Sequence, residues 1–194
     1  MSTAVDKPSF SIVMTVNNQA DELRRELPAL TTLPYEDYEV VVVDESSTDE
    51  TADVLKYQKA NHANLYTTFL PKYPFQNNPR RIAFTIGVKA ARKDWIIFTD
   101  VTTLPPSETW LEELSAYASS PSVLLLGYVN RKSGDIRLQT FDDIGQARSI
   151  IRKEEHRRGE KSHGQWMRQL LKKTGYDYIA VRADLGHEVL RLFA

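Results

Sequence analysis

The 194 residues predict an α/β fold with a mainly parallel central sheet and helices on both faces. Three observations carry this. Short apolar runs of strand length alternate with segments of helical period over most of the chain. The run "VVVV" at 40–43 has no polar alternation, as expected of a strand covered on both faces. Polar residues gather directly after the apolar runs, where ligands collect in such sheets.

The elements follow in order. "FSIVMTV" (10–16) is a buried first strand. "NNQADELRRELPALTTL" then changes to helical spacing, with Leu23, Leu27 and Leu30 at i, i+4 and i+7. "YEVVVVD" (38–44) is the second strand. "SSTDETADVLKYQKA" opens as a capping box from Ser47 to Glu50, ahead of a helix with Ala52 and Leu55 turned inward. "NLYTTFL" reads as a third strand and "PKYPFQNNPRR" as a loop. "IAFTIGVKAAR" is a helix and "DWIIFTD" a fourth strand. "SETWLEELSAYA" is a helix, "SVLLLGYV" a strand, and "YDYIAVRADLGHEVLRLF" a closing strand and amphipathic helix. In "FDDIG", Asp142 and Asp143 read as helix-capping residues. Trp95, Trp110 and Trp166 read as packing residues.

Composition narrows the function classes. With no cysteine there are no disulfides and no thiolate metal sites. The net charge of −1 gives no basic field for nucleic acid. No stretch of eighteen apolar residues occurs, and "MSTAVDKPSF" lacks the apolar centre of a secretory leader. The expectation is a cytoplasmic protein. Residues 148–173 carry nine Lys/Arg against three Asp/Glu, either a solvated helical face or a surface for anionic lipid or a partner protein. That stretch makes peripheral attachment at the inner membrane surface a further expectation. The histidines at 62, 156, 163 and 187 have no metal-ligand spacing.

The ends of the predicted strands bring Thr15, Val16, Asn17, Asp44 and Asp100 to one sheet edge. Asp44 there either meets a ligand or caps the helix after it. No Gly-x-Gly-x-x-Gly follows the first strand, and there is no P-loop lysine motif.

"FSIVMTVNNQADELRRELPAL", "YEVVVVDESSTDET", "IAFTIGVKAARKDWIIFTD" and "PPSETWLEEL" together resemble the nucleotide-binding half of family-2 glycosyltransferases, whose fold is the Rossmann-like GT-A fold. "VVVDESSTDET" is the most specific piece, close to the family's valine–valine–aspartate–aspartate–glycine–serine–threonine–aspartate signature. The resemblance implies one domain over 1–194, with a nucleotide-sugar half at 8–130 and a short, divergent acceptor half at 131–194. It implies that Thr15, Val16, Asn17 and Asp44 hold the base and ribose of a sugar nucleotide. Arg80 or Arg81, in the loop before the third helix, would meet the diphosphate. Asp100 would bind Mg²⁺ or Mn²⁺, which the family holds with two aspartates one residue apart.

Thr102 stands at the second of those two positions. A hydroxyl is a poor replacement for a carboxylate on a hard cation. Two function classes follow. One is a hexosyltransferase acting on a polysaccharide or glycolipid, with cationic side chains in place of the metal. The other is a catalytically inactive relative that binds a nucleotide or a partner transferase.

Overall fold

Phe10–Val16 forms β1, and all seven of its residues are buried. Tyr38–Asp44 forms β2, equally buried and parallel to β1 in the register Phe10↔Tyr38 to Val16↔Asp44. Such strands need cover on both faces, and the helices provide it. The computed structural model describes residues 7–72, 79–102, 107–118, 122–129, 136–146, 149 and 178–192.

Two further parallel strands flank this pair. Leu65–Phe69 (β3) lies beside β2, and Trp95–Phe98 (β4) lies beside β1. Beyond β4 the direction changes. Tyr178–Arg182 (β7) runs antiparallel to β4 and to Leu124–Val129 (β5), and β5 pairs antiparallel with Ile136–Phe141 (β6). The order is β3-β2-β1-β4-β7-β5-β6, a parallel centre extended by an antiparallel flank. Sequence reading misses β6. "IRLQTF" mixes three polar residues with three apolar ones and closes the sheet as an edge, so it lacks the apolar run that marks the central strands.

Alternation along the strands sorts the core into two layers. Ile12, Met14, Val16, Val40 and Val42 pack with Leu23, Leu27 and Leu30 of α1 (Ala20–Thr31), Val54 and Leu55 of α2 (Thr51–Asn61), and Trp110 and Leu114 of α4 (Trp110–Ala118). On the other face, Val13, Val41, Ile96 and Phe98 pack with Phe84 and Val88 of α3 (Pro79–Ala90). Val189 and Leu190 of α5 (Gly186–Leu192) complete that layer. Ala52 is exposed, contrary to the inward placement expected from the sequence; Thr51, Val54, Leu55 and Gln58 form the buried stripe. With the helix starting at Thr51, the stripe falls at i, i+3, i+4 and i+7, which leaves Ala52 outside it.

Two glycines allow close approach. A Cβ on Gly87 of α3 would lie 2.5 Å from Val13 Cγ1, so this helix sits against β1 at backbone distance. A Cβ on Gly127 would lie 2.0 Å from the Tyr178 ring. That ring crosses β5 and meets Trp110 edge-to-face at 5.0 Å.

Candidate functional site

The strand order reverses between β1 and β4, because β2 and β3 lie to one side of β1 and β4 to the other. In open α/β sheets that crevice, at the carboxyl ends of the strands, is where ligands bind. Val16 and Asn17 leave β1 there, and the Thr99 amide donates to the Val13 carbonyl at 3.2 Å as the chain leaves β4 toward Asp100. Asp44 ends β2 one strand away.

The loops after β1 and β2 are joined by reciprocal side-chain bonds. Asn17 Nδ2 donates to the Glu45 carbonyl (2.7 Å), and the Glu45 amide donates to the Val16 carbonyl (2.8 Å). The Asn18 amide donates to Ser47 Oγ (2.9 Å), while the Thr48 amide donates back to Asn18 Oδ1 (2.7 Å). Asn18 and Ser46 hold φ at 51° and 59°, in the left-handed region. Asparagine tolerates that region; serine does so at a cost. Asp49 joins the starts of two helices: Oδ1 accepts from the Thr51 amide (3.0 Å) and Oδ2 from the Ala20 amide (3.2 Å). Desolvation by its neighbours would raise its pKa, but the hydroxyl and amide of Thr51 and the amide of Ala20 outweigh that and hold the carboxyl below its ordinary value.

The capping box from Ser47 to Glu50 does not form. The helix begins at Thr51, so Ser47 lies too far upstream to cap it, and Asp49 takes the Thr51 amide. Ser47 Oγ serves Asp44 and Asn18 instead, and the Glu50 carboxylate pairs with Arg24 of α1. Asp44 does not cap the helix either. Its Oδ1 accepts the amide (2.9 Å) and hydroxyl of Ser47, closing the turn after β2. Asp44 Oδ2 has no hydrogen bond among the described residues, although the residue is only 8% exposed. Asp143 accepts from the Gly145 amide at 3.0 Å, the local cap expected of it.

Thr15 and Asp44 do not share a face. Thr15 pairs with Val43, and Asp44 pairs with Val16. Val43 packs with Ala83 of α3 and Val16 packs in the α1/α2 layer, so Thr15 lies toward α3 and Asp44 toward α2.

Arg80 and Arg81 are in the first turn of α3, not in a loop, because the helix starts at Pro79. Proline suits the first helical position, where its missing N–H is no loss. Arg80 Nε donates to Glu45 Oε1 at 3.1 Å, and the Glu45 side chain is 7% exposed. Glu45 is thus a residue of this edge that sequence reading passed over. The signal for it was its place inside the "VVVDESSTDET" block.

Asp100 Oδ1 accepts from the amide (2.9 Å) and hydroxyl (2.7 Å) of Thr102, while Val101 between them is fully buried in the core. In this turn after β4 the hydroxyl contact brings the two side chains together, and Thr102 satisfies one oxygen of the carboxylate. No group of three or more His, Asp or Glu that could hold a metal comes together among the described residues. One carboxylate beside a hydroxyl does not by itself make up the oxygen shell of a divalent cation.

Trp95 and Trp110 are buried as expected. Trp166, His156, His163 and nearly all of the basic stretch 148–173 lie outside the described residues. No helix among the described residues is long and apolar enough to cross a membrane.

The sequence pattern of the family described as glycosyl transferase family 2 matches residues 11–178. A poly(ribitol-phosphate) beta-glucosyltransferase of Bacillus spizizenii is 31% identical over 130 residues, covering 64% of this chain and 20% of its own length. Among solved structures, a mannosyltransferase from Pyrobaculum calidifontis, in complex with GDP-Man and Mn²⁺, superposes at a TM-score of 0.63 with 18% identity. That match covers 95% of this chain and 47% of the other. Residues 1–349 of S. aureus TarS, in complex with UDP-GlcNAc, give 0.52 with 25% identity, over 63% of this chain and 34% of the other. The chain thus spans a fifth of its curated relative and less than half of these solved chains.

Proposed function

The chain belongs to glycosyl transferase family 2, and from that premise we propose that it takes a sugar from a nucleoside-diphosphate sugar and passes it to a polymer or glycolipid acceptor. The observation that carries this reading is Asp44. It is a buried carboxylate at the carboxyl edge, with one oxygen tied into its own turn and the other without a partner among the described residues. A free carboxylate oxygen suits an N–H donor on a base edge, the ring imide of uracil or guanine, or a ribose hydroxyl. Structures of the similar proteins hold donors of both base types, GDP-Man and UDP-GlcNAc.

In this reading Val16 and Asn17 line the nucleoside side, and Arg80 and Arg81 at the start of α3 meet the diphosphate. Glu45 fixes the direction of the Arg80 guanidinium and also offsets part of its charge. Thr15 faces the same side as α3 and belongs with that cationic group. Asp100 flanks the switch point beside the sugar end of the donor. Residues 131–194 form the acceptor-side half.

A second reading is favoured by Thr102. Its hydroxyl and amide already satisfy Asp100, and Glu45 already pairs with Arg80, so the site presents less charge than two aspartates and two unpaired arginines would. That arrangement suits a nucleotide-binding relative without transfer activity.

Calorimetric titration with UDP and GDP, with and without Mn²⁺, tests both. The first reading expects binding that Asp44→Ala weakens at least about tenfold, together with release of UDP or GDP from a sugar nucleotide when acceptor is supplied. Binding without any such release supports the second. No binding of either nucleotide by the wild type overturns both. Thr102→Asp is expected to make nucleotide binding depend on Mn²⁺, because two carboxylates and the phosphate oxygens then approach the oxygen shell such ions take.

A further inference from the structure

Phe69 is the last residue of β3 and sits in register with Asp44, one strand over. Adjacent strands lie about 4.8 Å apart, and paired residues project from the same face. The Phe69 side chain therefore stands beside the Asp44 carboxylate at the carboxyl edge. It is 65% exposed. Its backbone is nevertheless held firmly. The next amide, Leu70 N, donates to the Asp44 carbonyl (2.8 Å), Ser46 Oγ donates to the Leu70 carbonyl, and the Leu70 side chain is buried against Val43 and Ala83.

Among the described residues the other markedly exposed aromatics, Tyr57, Tyr66 and Tyr117, carry a hydroxyl that water can solvate. Phe69 has none, so its exposure costs hydrophobic free energy with no polar return. An apolar ring face open to water, fixed beside a carboxylate oxygen without a partner among the described residues, fits one chemical class of ligand well. That class is a flat aromatic heterocycle with an N–H on its edge. The ring takes the face of the base and Asp44 takes the edge.

We propose that Phe69 is the stacking platform for the nucleobase of the donor, and so a binding and specificity-determining residue that works with Asp44. This rests on the nucleotide-sugar reading above. Stacking of a base on an aromatic side chain changes affinity about five- to hundredfold when the ring is removed. It tolerates base identity, while the Asp44 oxygen selects for an edge N–H. Uridine and guanosine diphosphates are therefore expected to bind more tightly than cytidine diphosphate, whose ring nitrogen at that position is an acceptor.

The test compares wild type, Phe69→Ala, Phe69→Leu and Phe69→Trp in titrations with UDP and with inorganic pyrophosphate. Phe69→Ala and Phe69→Leu are expected to weaken UDP at least fivefold while leaving pyrophosphate unchanged. Phe69→Trp is expected to keep UDP affinity, with indole fluorescence quenched on binding beyond any change in the wild type. UDP affinity unchanged in Phe69→Ala, while Asp44→Ala abolishes it, overturns the platform and leaves the donor reading standing. Equal losses for UDP and pyrophosphate also overturn it, because they point to a distorted strand tip. Absence of both UDP and GDP binding by the wild type overturns the donor reading itself, and the platform with it.

Discussion

Ser46 shows how one position of the signature was rebuilt. It stands where the family signature has glycine, with φ at 59°. A non-glycine residue there costs about 1–2 kcal/mol, offset by the hydrogen bond from Ser46 Oγ to the Leu70 carbonyl, worth about 1 kcal/mol. Ser46→Ala keeps the strain and loses the bond, so it is expected to lower unfolding stability by about 1–2 kcal/mol. Ser46→Gly loses the bond but also the strain, and is expected to stay within about 1 kcal/mol of wild type after the added flexibility of the unfolded chain. Urea denaturation of the two variants checks the order; a less stable Ser46→Gly would contradict it.

At the scale of elements, helix starts and helix approach are set by few contacts. Asp49 accepts an amide from the first turn of both α1 and α2. Its carboxyl titrates below the ordinary value near about 3.9 in the folded state. The stability it contributes is therefore full above the unfolded value and is lost as pH falls through the folded one. Asp49→Ala is expected to cost about 1–2 kcal/mol at neutral pH and to lose less on acidification than wild type, as followed by melting temperature from pH 6 to pH 2. Gly87 sets the distance of α3 from β1. Alanine there gains about 1 kcal/mol in helix propensity but drives a Cβ to 2.5 Å from Val13 Cγ1. Overpacking costs about 1–3 kcal/mol, so a net loss of up to about 2 kcal/mol is expected in denaturant titration.

Across the whole molecule, the two edges of the sheet have separate work. At the amino edge Glu39, 2% exposed, accepts from Ser11 Oγ (2.8 Å), the Arg92 amide (2.7 Å), and Arg92 Nε (3.0 Å) and Nη2 (2.7 Å). This carboxylate ties β1, β2 and the α3–β4 connection together. The Arg92 side chain is largely exposed, which limits its worth, so a double-mutant cycle of Glu39→Gln and Arg92→Ala is expected to give about 1 kcal/mol of coupling. The cycle should leave nucleotide affinity unchanged, because Asp44 and Phe69 lie at the other end of their strands. Changed affinity in Glu39→Gln would show that the two edges communicate.

The sequence by itself determined the parallel centre and the residues at its edge. Unbroken runs such as "VVVV" can only be satisfied by burial on both faces, and strand length then dictates that Asp44 and Asp100 emerge at the carboxyl end. The family was legible for the same reason, since its signature is a run of neighbouring residues. Tertiary structure alone decided the relations between distant segments. That β7, from the far end of the chain, enters between β4 and β5 depends on pairings with no local trace. That Thr15 and Asp44 face opposite sides is fixed by a register of one residue, and a shift of one turns every side chain over. Arg80 was legible as a cation, but its pairing with Glu45, 35 residues earlier, exists only because α3 folds back over β2. Phe69 read as one more strand residue. Only its place at the sheet margin, beside Asp44 and uncovered, gave it a chemical meaning, because exposure is a property of the assembled sheet and not of the strand.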